Sequence, residues 1–314
     1  MNSAALLTVL VFSQILPPMW WSGPVEVEFS KDNDVNFAEK ASAGPGLIFQ
    51  AAPPEKIGTS LGIETSAQSV LVWDPDSNTV LLRKNAAAIW PIASVTKLMT
   101  ALVFLEHNPG FETEVTMEES DQVDGGNLDV SPGDRLSVRD LMAASLIASS
   151  NNAAEAMARS TGLAREEFIA EMNKLAETLG WSSMEFFDVT GLDPRNRASV
   201  MDIVRLAHHA FNNSEIQLLT TLPEYTVAVI EPQREIRVHN TNELLEDFVR
   251  IQGGKTGYIP EAGYNLVVRS DNGSGRRVII AVFGSASSDD RFREMKGLIS
   301  WTFENWRWPE EERI

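Results

Sequence analysis

The chain has 314 residues and a formal charge of −18, with 43% hydrophobic and 22% charged residues. This composition excludes a mainly disordered or fibrous chain, and the length suffices for a core without staples. The absence of cysteine removes disulfides, thiolate metal sites and a cysteine nucleophile, and so acidic a surface repels nucleic-acid phosphates.

Residues 4–16 (AALLTVLVFSQIL) form an uncharged apolar run, followed by Pro17, Pro18 and Met19-Trp20-Trp21. Such a run resembles the core of an export signal or a short membrane anchor ending in interfacial tryptophans. No Lys or Arg precedes it, and Ala41-Ser42-Ala43 lies too far away to be its cleavage site. The expectation is therefore an exported protein held at the membrane by an uncleaved segment, 1–21. Residues 22–60 carry Gly, Pro, Ser and mixed charge without a period and read as a linker. The folded domain is expected over 61–306, with a short tail at 307–314.

Within that domain, strands are predicted over 68–73 and 79–83, around the turn Asp74-Pro75-Asp76-Ser77-Asn78. The turn mimics the start of a calcium loop but lacks its sixth-position Gly and twelfth-position acid, so a hairpin is predicted. Helices fit 94–107, 137–148, 152–160, 164–179 (closed by Gly180) and 199–211. Strands follow at 225–230, 236–238, 262–270 and 277–284, and a closing helix at 289–306. Strands at both ends with helices between predict one α/β domain whose sheet draws on both ends of the segment.

Several motif matches carry nothing. Gly58-Thr59-Ser60-Leu61-Gly62 spells a nucleophile elbow, yet a proline-rich stretch precedes it where a strand is required. Gly254-Lys255-Thr256 lacks the first glycine of a phosphate loop, because position 249 is Val249. The four histidines, His107, His208, His209 and His239, form no zinc-binding pattern, and His208 with His209 reads as a cation at a helix C-terminus.

Ser94-Val95-Thr96-Lys97 is more informative. At i and i+3 the two side chains share a helix face, so the amine can reach the hydroxyl. A serine needs a base to become a nucleophile, and a lysine serves once burial or a second cation lowers its pKa. Alone, this spacing arises about once by chance in such a chain, with Ser94 as a helix cap. Ser149-Ser150-Asn151 alone reads as another cap, and Lys255-Thr256-Gly257 as a solvated turn leading into a strand. Their order together, S-x-x-K, S-x-N, K-T-G, is a nucleophile signature of penicillin-recognising serine enzymes.

At this point the sequence resembles a family, the serine D-alanyl-D-alanine carboxypeptidases of peptidase family S11, the low-molecular-mass penicillin-binding proteins. The block from Trp90 to Thr100, Pro132-Gly133-Asp134, the stretch from Leu141 to Asn151, Met172-Asn173 with Leu179-Gly180, Thr190-Gly191-Leu192-Asp193, and Lys255-Thr256-Gly257-Tyr258 with Ala262-Gly263-Tyr264-Asn265-Leu266 carry the resemblance.

The resemblance implies a β-lactamase/transpeptidase-like α+β fold, an antiparallel sheet flanked by helices beside a mostly helical lobe. It further implies Ser94 as nucleophile, Lys97 as general base and Ser149 as proton relay to the leaving amine. Asn151 would bind the peptide backbone and hold Lys97. Lys255 would supply positive potential and Thr256 would bind the substrate carboxylate. Gly257 would belong to the substrate-binding residues, and the backbone N–H groups of Ser94 and Tyr258 would form an oxyanion hole. Either Arg291 or Arg293 would assist the carboxylate. No metal or cofactor is implied. The substrate would be the peptidoglycan stem peptide, with β-lactams as covalent inhibitors and no nucleic-acid partner.

Two departures stand out: Ser150 where the family usually has Gly or Ala, and Asn152 where it usually has Asp. A β-lactamase of the same fold would need a deacylating glutamate, and Glu166, Glu167, Glu171 and Glu177 all fall on a helical pattern that predicts solvent exposure. A DD-endopeptidase would use the same three motifs. A non-catalytic wall-peptide binder would have lost one of Ser94, Lys97 or Lys255, and all three are present.

Overall fold

The computed structural model describes residues 51–309; the expected anchor, most of the linker and the last five residues lie outside them. In chain order the main elements are β1 (Ser69–Asp74), β2 (Thr79–Lys84), α1 (Thr96–Glu106), β3 (Glu114–Thr116), β4 (Arg135–Ser137), α2 (Val138–Ile147), α3 (Asn151–Ser160) and α4 (Arg165–Thr178). They continue with α5 (Val200–Phe211), α6 (Ser214–Thr221), β5 (Glu224–Glu231), β6 (Arg234–His239), β7 (Ile251–Ile259), β8 (Gly263–Asp271), β9 (Arg277–Ser285) and α7 (Ser288–Asn305).

Five strands form an antiparallel sheet in the order β7-β8-β9-β1-β2, so both ends of the domain contribute, as the strand pattern predicts. Period-two alternation sorts its two faces. Leu71, Trp73, Val267, Ile279, Ala281 and Phe283 pack toward the helical lobe and α5. Val70, Val72, Leu266, Val268, Val278, Ile280 and Val282 pack against Phe292, Met295, Leu298 and Ile299 of α7. The sheet is thus buried on both sides, and its strands read as near-continuous apolar runs rather than clean alternations.

The helical lobe is centred on α1, whose residues from Thr96 to Phe104 are all buried. A helix without a polar face belongs inside a lobe. Around it, Ser137 and Ser199 cap α2 and α5 by accepting the N–H of Asp140 and Asp202. Helix α4 ends as predicted at Gly180, where φ is +73°. There the Gly180 and Trp181 N–H groups return to the carbonyls of Glu177 and Ala176, the pattern of a Schellman cap.

Sequence patterning misses a second antiparallel sheet, β3-β4-β5-β6, in part because two of its strands are only three residues long. It also misses α6, and it reads the segment around Lys255 as a turn leading into a strand. Lys255-Thr256-Gly257 instead lie inside β7, buried. At the near end of the chain, Glu55–Lys56 pair with Trp306–Arg307, and Trp301 Nε1 donates to Ser60 Oγ at 2.9 Å. This part of the expected linker is therefore docked on the domain.

Candidate active site

The cleft lies where the edge strand β7 meets the start of α1 and the α2–α3 junction. Ser94 is not a cap. It sits in a 3-10 turn, Ala93–Val95, directly before α1, and it stays half-exposed. The turn is tight. Ala93 holds φ at +49°, a left-handed conformation that costs a non-glycine residue about 1–3 kcal/mol and persists only when its surroundings enforce it. Two glycines do so. A methyl group on Gly191 would lie 1.9 Å from the Ala93 carbonyl oxygen, and one on Gly257 would lie 2.9 Å from the Ile92 carbonyl oxygen and 3.1 Å from the Ser94 nitrogen. Only bare backbone fits on both sides of the turn.

From the first turn of α1, Lys97 reaches back to Ser94. Its Nζ lies 3.0 Å from Ser94 Oγ, 2.7 Å from Asn151 Oδ1 and 2.9 Å from the Thr190 carbonyl oxygen. The side chain is fully buried, and burial lowers its pKa to about 7 against the opposing pull of Asp188 and Glu155. Two of its three partners are oxygens without a proton to give. A neutral amine donates its two hydrogens to them and turns its lone pair toward the Ser94 hydroxyl. The site is built for an amine that loses its proton near neutrality.

Ser149 lies in the break between α2 and α3 with φ at +60°. Neither Ser149 nor Ser150 caps α3 through its side chain: Ser150 occupies the cap position without a side-chain bond. Ser149 Oγ instead accepts from Lys255 Nζ at 2.7 Å, across the cleft. Lys255 is as deeply buried as Lys97, and its pKa falls well below the ordinary lysine value through burial, then through the charges of Lys97 and Arg291. Thr256 Oγ1 shares a 2.6 Å hydrogen bond with Thr241 Oγ1. Tyr258, half-exposed at the mouth, stacks on Tyr264 with centroids 4.4 Å apart.

All eight residues singled out in the sequence belong to the elements around this cleft, and direct bonds join Ser94 with Lys97, Lys97 with Asn151, and Ser149 with Lys255. The structure also separates the two arginines. Arg291 is buried, with its guanidinium over the Tyr264 ring and Nη1 3.4 Å from the Gly257 carbonyl oxygen. Arg293 is exposed and paired with Asp290. The four glutamates weighed as deacylating bases all lie on α4; Glu166, Glu167 and Glu177 are exposed, and Glu171, half-buried, pairs with Lys174. His208 and His209 sit in the last turn of α5, edge-on to Trp73 and Trp181.

The departure at position 152 has a local explanation. Asn152 is fully buried, accepts the Leu128 N–H and donates to the Leu128 carbonyl, clamping the loop whose Asp124 carbonyl also receives Asn151 Nδ2. An amide can both give and take there; a carboxylate can only take. Sequence reasoning missed Asp188, the Thr190 carbonyl and Glu155 as members of the site. Asp188 and Glu155 read as ordinary polar residues of a loop and a helix, and a backbone carbonyl has no side-chain signature.

The peptidase S11 family model, described as D-alanyl-D-alanine carboxypeptidase, matches residues 53–287. A D-alanyl-D-alanine endopeptidase of Haemophilus influenzae is 40% identical over 204 residues, covering 64% of this chain and 69% of that protein. A D-alanyl-D-alanine carboxypeptidase of Bacillus subtilis is 28% identical over 270 residues, covering 82% of this chain and 69% of that protein. Among solved structures, the Streptomyces K15 DD-transpeptidase superposes with a TM-score of 0.73 at 26% identity, covering 77% of this chain and 99% of that one. With the serine, lysine and asparagine of its cleft arranged as above, this chain belongs to the peptidase S11 family of D-alanyl-D-alanine carboxypeptidases.

Proposed function

We propose that the protein is a serine DD-carboxypeptidase that removes the terminal D-alanine from peptidoglycan stem pentapeptides. The observation that carries this reading is the buried Lys97 amine 3.0 Å from Ser94 Oγ, its other two bonds spent on proton-free acceptors. Neutral Lys97 takes the Ser94 proton as Oγ bonds to the carbonyl carbon between the two D-alanines. The C–N bond then breaks, and the departing amine receives a proton through Ser149, whose oxygen is held by Lys255. Water attacks the resulting ester by the reverse proton path and frees the shortened stem.

Backbone N–H groups of Ser94 and Tyr258 hold the developing oxyanion, a type of contact whose loss typically costs about 3–4 kcal/mol. The closeness of Gly257 to the Ser94 turn supports this assignment. Lys255 and Thr256 receive the terminal carboxylate, supplying local positive charge on a chain of net charge −18. Asn151 holds Lys97 and lies beside the path of the peptide backbone. Penicillins carry a carboxylate and a strained amide in the same relation, so they acylate Ser94. The reaction takes place outside the cytoplasmic membrane, with residues 1–21 as the membrane contact; among the described residues, no helix is long and apolar enough to cross a membrane.

The 40% identity to a protein described as an endopeptidase favours a second reading, in which the same machinery cuts D-alanyl cross-links. The full chain and its Ser94→Ala variant, incubated with a pentapeptide muropeptide and with its cross-linked dimer, separate the two by mass spectrometry. Loss of one alanine from the monomer, abolished by Ser94→Ala, is expected. Cleavage of the dimer alone establishes the endopeptidase, and no product from either by folded protein refutes both.

A further inference from the structure

Among the buried carboxylates that the mechanism does not use, Asp188 organises the loop beside the nucleophile. Asp188 is 7% exposed, on the loop between α4 and α5. Its Oδ1 accepts the N–H groups of Thr190 at 2.9 Å and Gly191 at 2.5 Å, and its Oδ2 accepts that of Asp193 at 2.7 Å. Asn196 Nδ2 donates to the same Oδ1, to the Asp188 carbonyl and to Thr96 Oγ1 on the nucleophile helix. The Asn196 carbonyl in turn receives the Ile92 N–H at 2.9 Å, and Gly191 presses on Ala93.

One carboxylate thus organises a loop that grips both flanks of the Ser94 turn and aims the Thr190 carbonyl at Lys97 Nζ. Among the described residues the donors to its oxygens are neutral amides, so its charge is oriented there by dipoles rather than by an ion pair. Resting on the reading of Lys97 as general base, we infer that Asp188 is a positioning residue for that base: it fixes the Thr190 carbonyl on the amine and sets a carboxylate behind the loop that carries it.

The other charges facing Lys97 define the contrast. From α3 comes Glu155, which is engaged by Arg165 of α4 at 3.1 Å. From β7 comes the Lys255 amine, whose charge opposes that of Lys97. Asp188 is the carboxylate on the loop side, and it is the largest influence holding the Lys97 pKa up against burial. Without its charge the ammonium form loses support. Lys97 then becomes neutral at lower pH, and the acid limb of any reaction that needs the free amine moves toward acid.

The test uses the full chain with 13Cε-labelled lysine. Lys97 is assigned by the signal lost in Lys97→Met and titrated in wild type, Asp188→Asn, Asp188→Glu and Asn196→Ala; acylation by a fluorescent penicillin is followed over the same pH range. In Asp188→Asn, the Lys97 titration and the acid limb are expected to move down together by about 0.5–1 pH unit, with acylation on the plateau slowed about tenfold or more. Asp188→Glu, which keeps the charge, is expected to leave the midpoint in place. Asn196→Ala removes a neutral donor from the loop and the carboxylate without removing the charge, so it is expected to slow acylation with no shift.

A Lys97 midpoint unchanged in Asp188→Asn overturns the inference, as does an equal shift in Asn196→Ala. Failure of wild type to be acylated on Ser94 refutes the base reading instead, while the titration still decides whether Asp188 governs the amine. Should Asp188→Asn unfold, Asp188→Glu and Asn196→Ala decide in its place: a midpoint displaced in either one counts against the inference.

Discussion

The two walls of the cleft each contribute a fully buried lysine, and they treat it differently. On the helical side, Lys97 faces carboxylates that belong to the protein, Asp188 and Glu155, and its amine is bonded to fixed acceptors. On the sheet side, Lys255 faces cations, Lys97 and Arg291, and its bonds go to the Ser149 hydroxyl and its neighbour's carbonyl. Burial depresses both. Lys97 is therefore balanced between burial and its carboxylates, which suits the base role proposed for it. Among the influences on Lys255 no carboxylate figures, and in the proposed mechanism one arrives with the substrate. In the proposed mechanism the same residue type thus serves as proton acceptor or anion receptor according to where its compensating charge comes from.

The largest effect expected from breaking this contrast is on the helical wall. Replacing Ser94 by Ala abolishes covalent labelling by penicillin, and Lys97→Met reduces acylation by about 10²–10⁴-fold, the usual contribution of a general base; intact-protein mass spectrometry reads both.

On the sheet wall, Lys255→Met is expected to cost about 2–5 kcal/mol in kcat/KM, the typical price of removing one partner of a buried charged pair. The diagnostic result is selectivity. Wild type is expected to prefer a peptide ending in carboxylate over its C-terminal amide, and Lys255→Met to narrow that preference. A variant that loses activity equally on both peptides contradicts the receptor role.

A third expectation concerns pH. Since only neutral Lys97 can accept the serine proton, acylation rises with pH through about 7 and levels above it. A rate falling across that range would show that the charged form is the active one. The smallest effect belongs to the loop behind the site. Asn152→Asp removes the donor to the Leu128 carbonyl and is expected to lower stability by about 1–3 kcal/mol in denaturant unfolding, with catalysis changed less than by either lysine substitution.

Much of this was legible in the sequence because period and punctuation carry it. The central sheet follows from apolar runs bounded by turn residues, and Gly180 marks the end of α4 because only glycine readily takes the left-handed conformation there. The side chains that gather at the cleft were legible because three short motifs fall in one order. What stayed hidden depends on contacts rather than residue type. β7 was hard to read because Gly253, Gly254 and Gly257 suggest a turn, whereas glycine is required by what presses on the strand: the Phe211 ring on Gly253, the Asn242 amide on Gly254 and the Ser94 turn on Gly257. Asp188 was hidden for the opposite reason, since an aspartate bonding its own loop is common and its distance to a lysine 91 positions earlier is set only by the fold.

The paired glycines around Ala93 bear on how substitution data from this enzyme should be interpreted. Ranked by lost activity alone in a saturation scan, Gly191 and Gly257 would stand beside Ser94, although neither has a side chain to offer the reaction. Their intolerance would measure thickness, the fraction of an ångström by which the nucleophile's backbone can be displaced. Function at these two positions is carried by the absence of atoms.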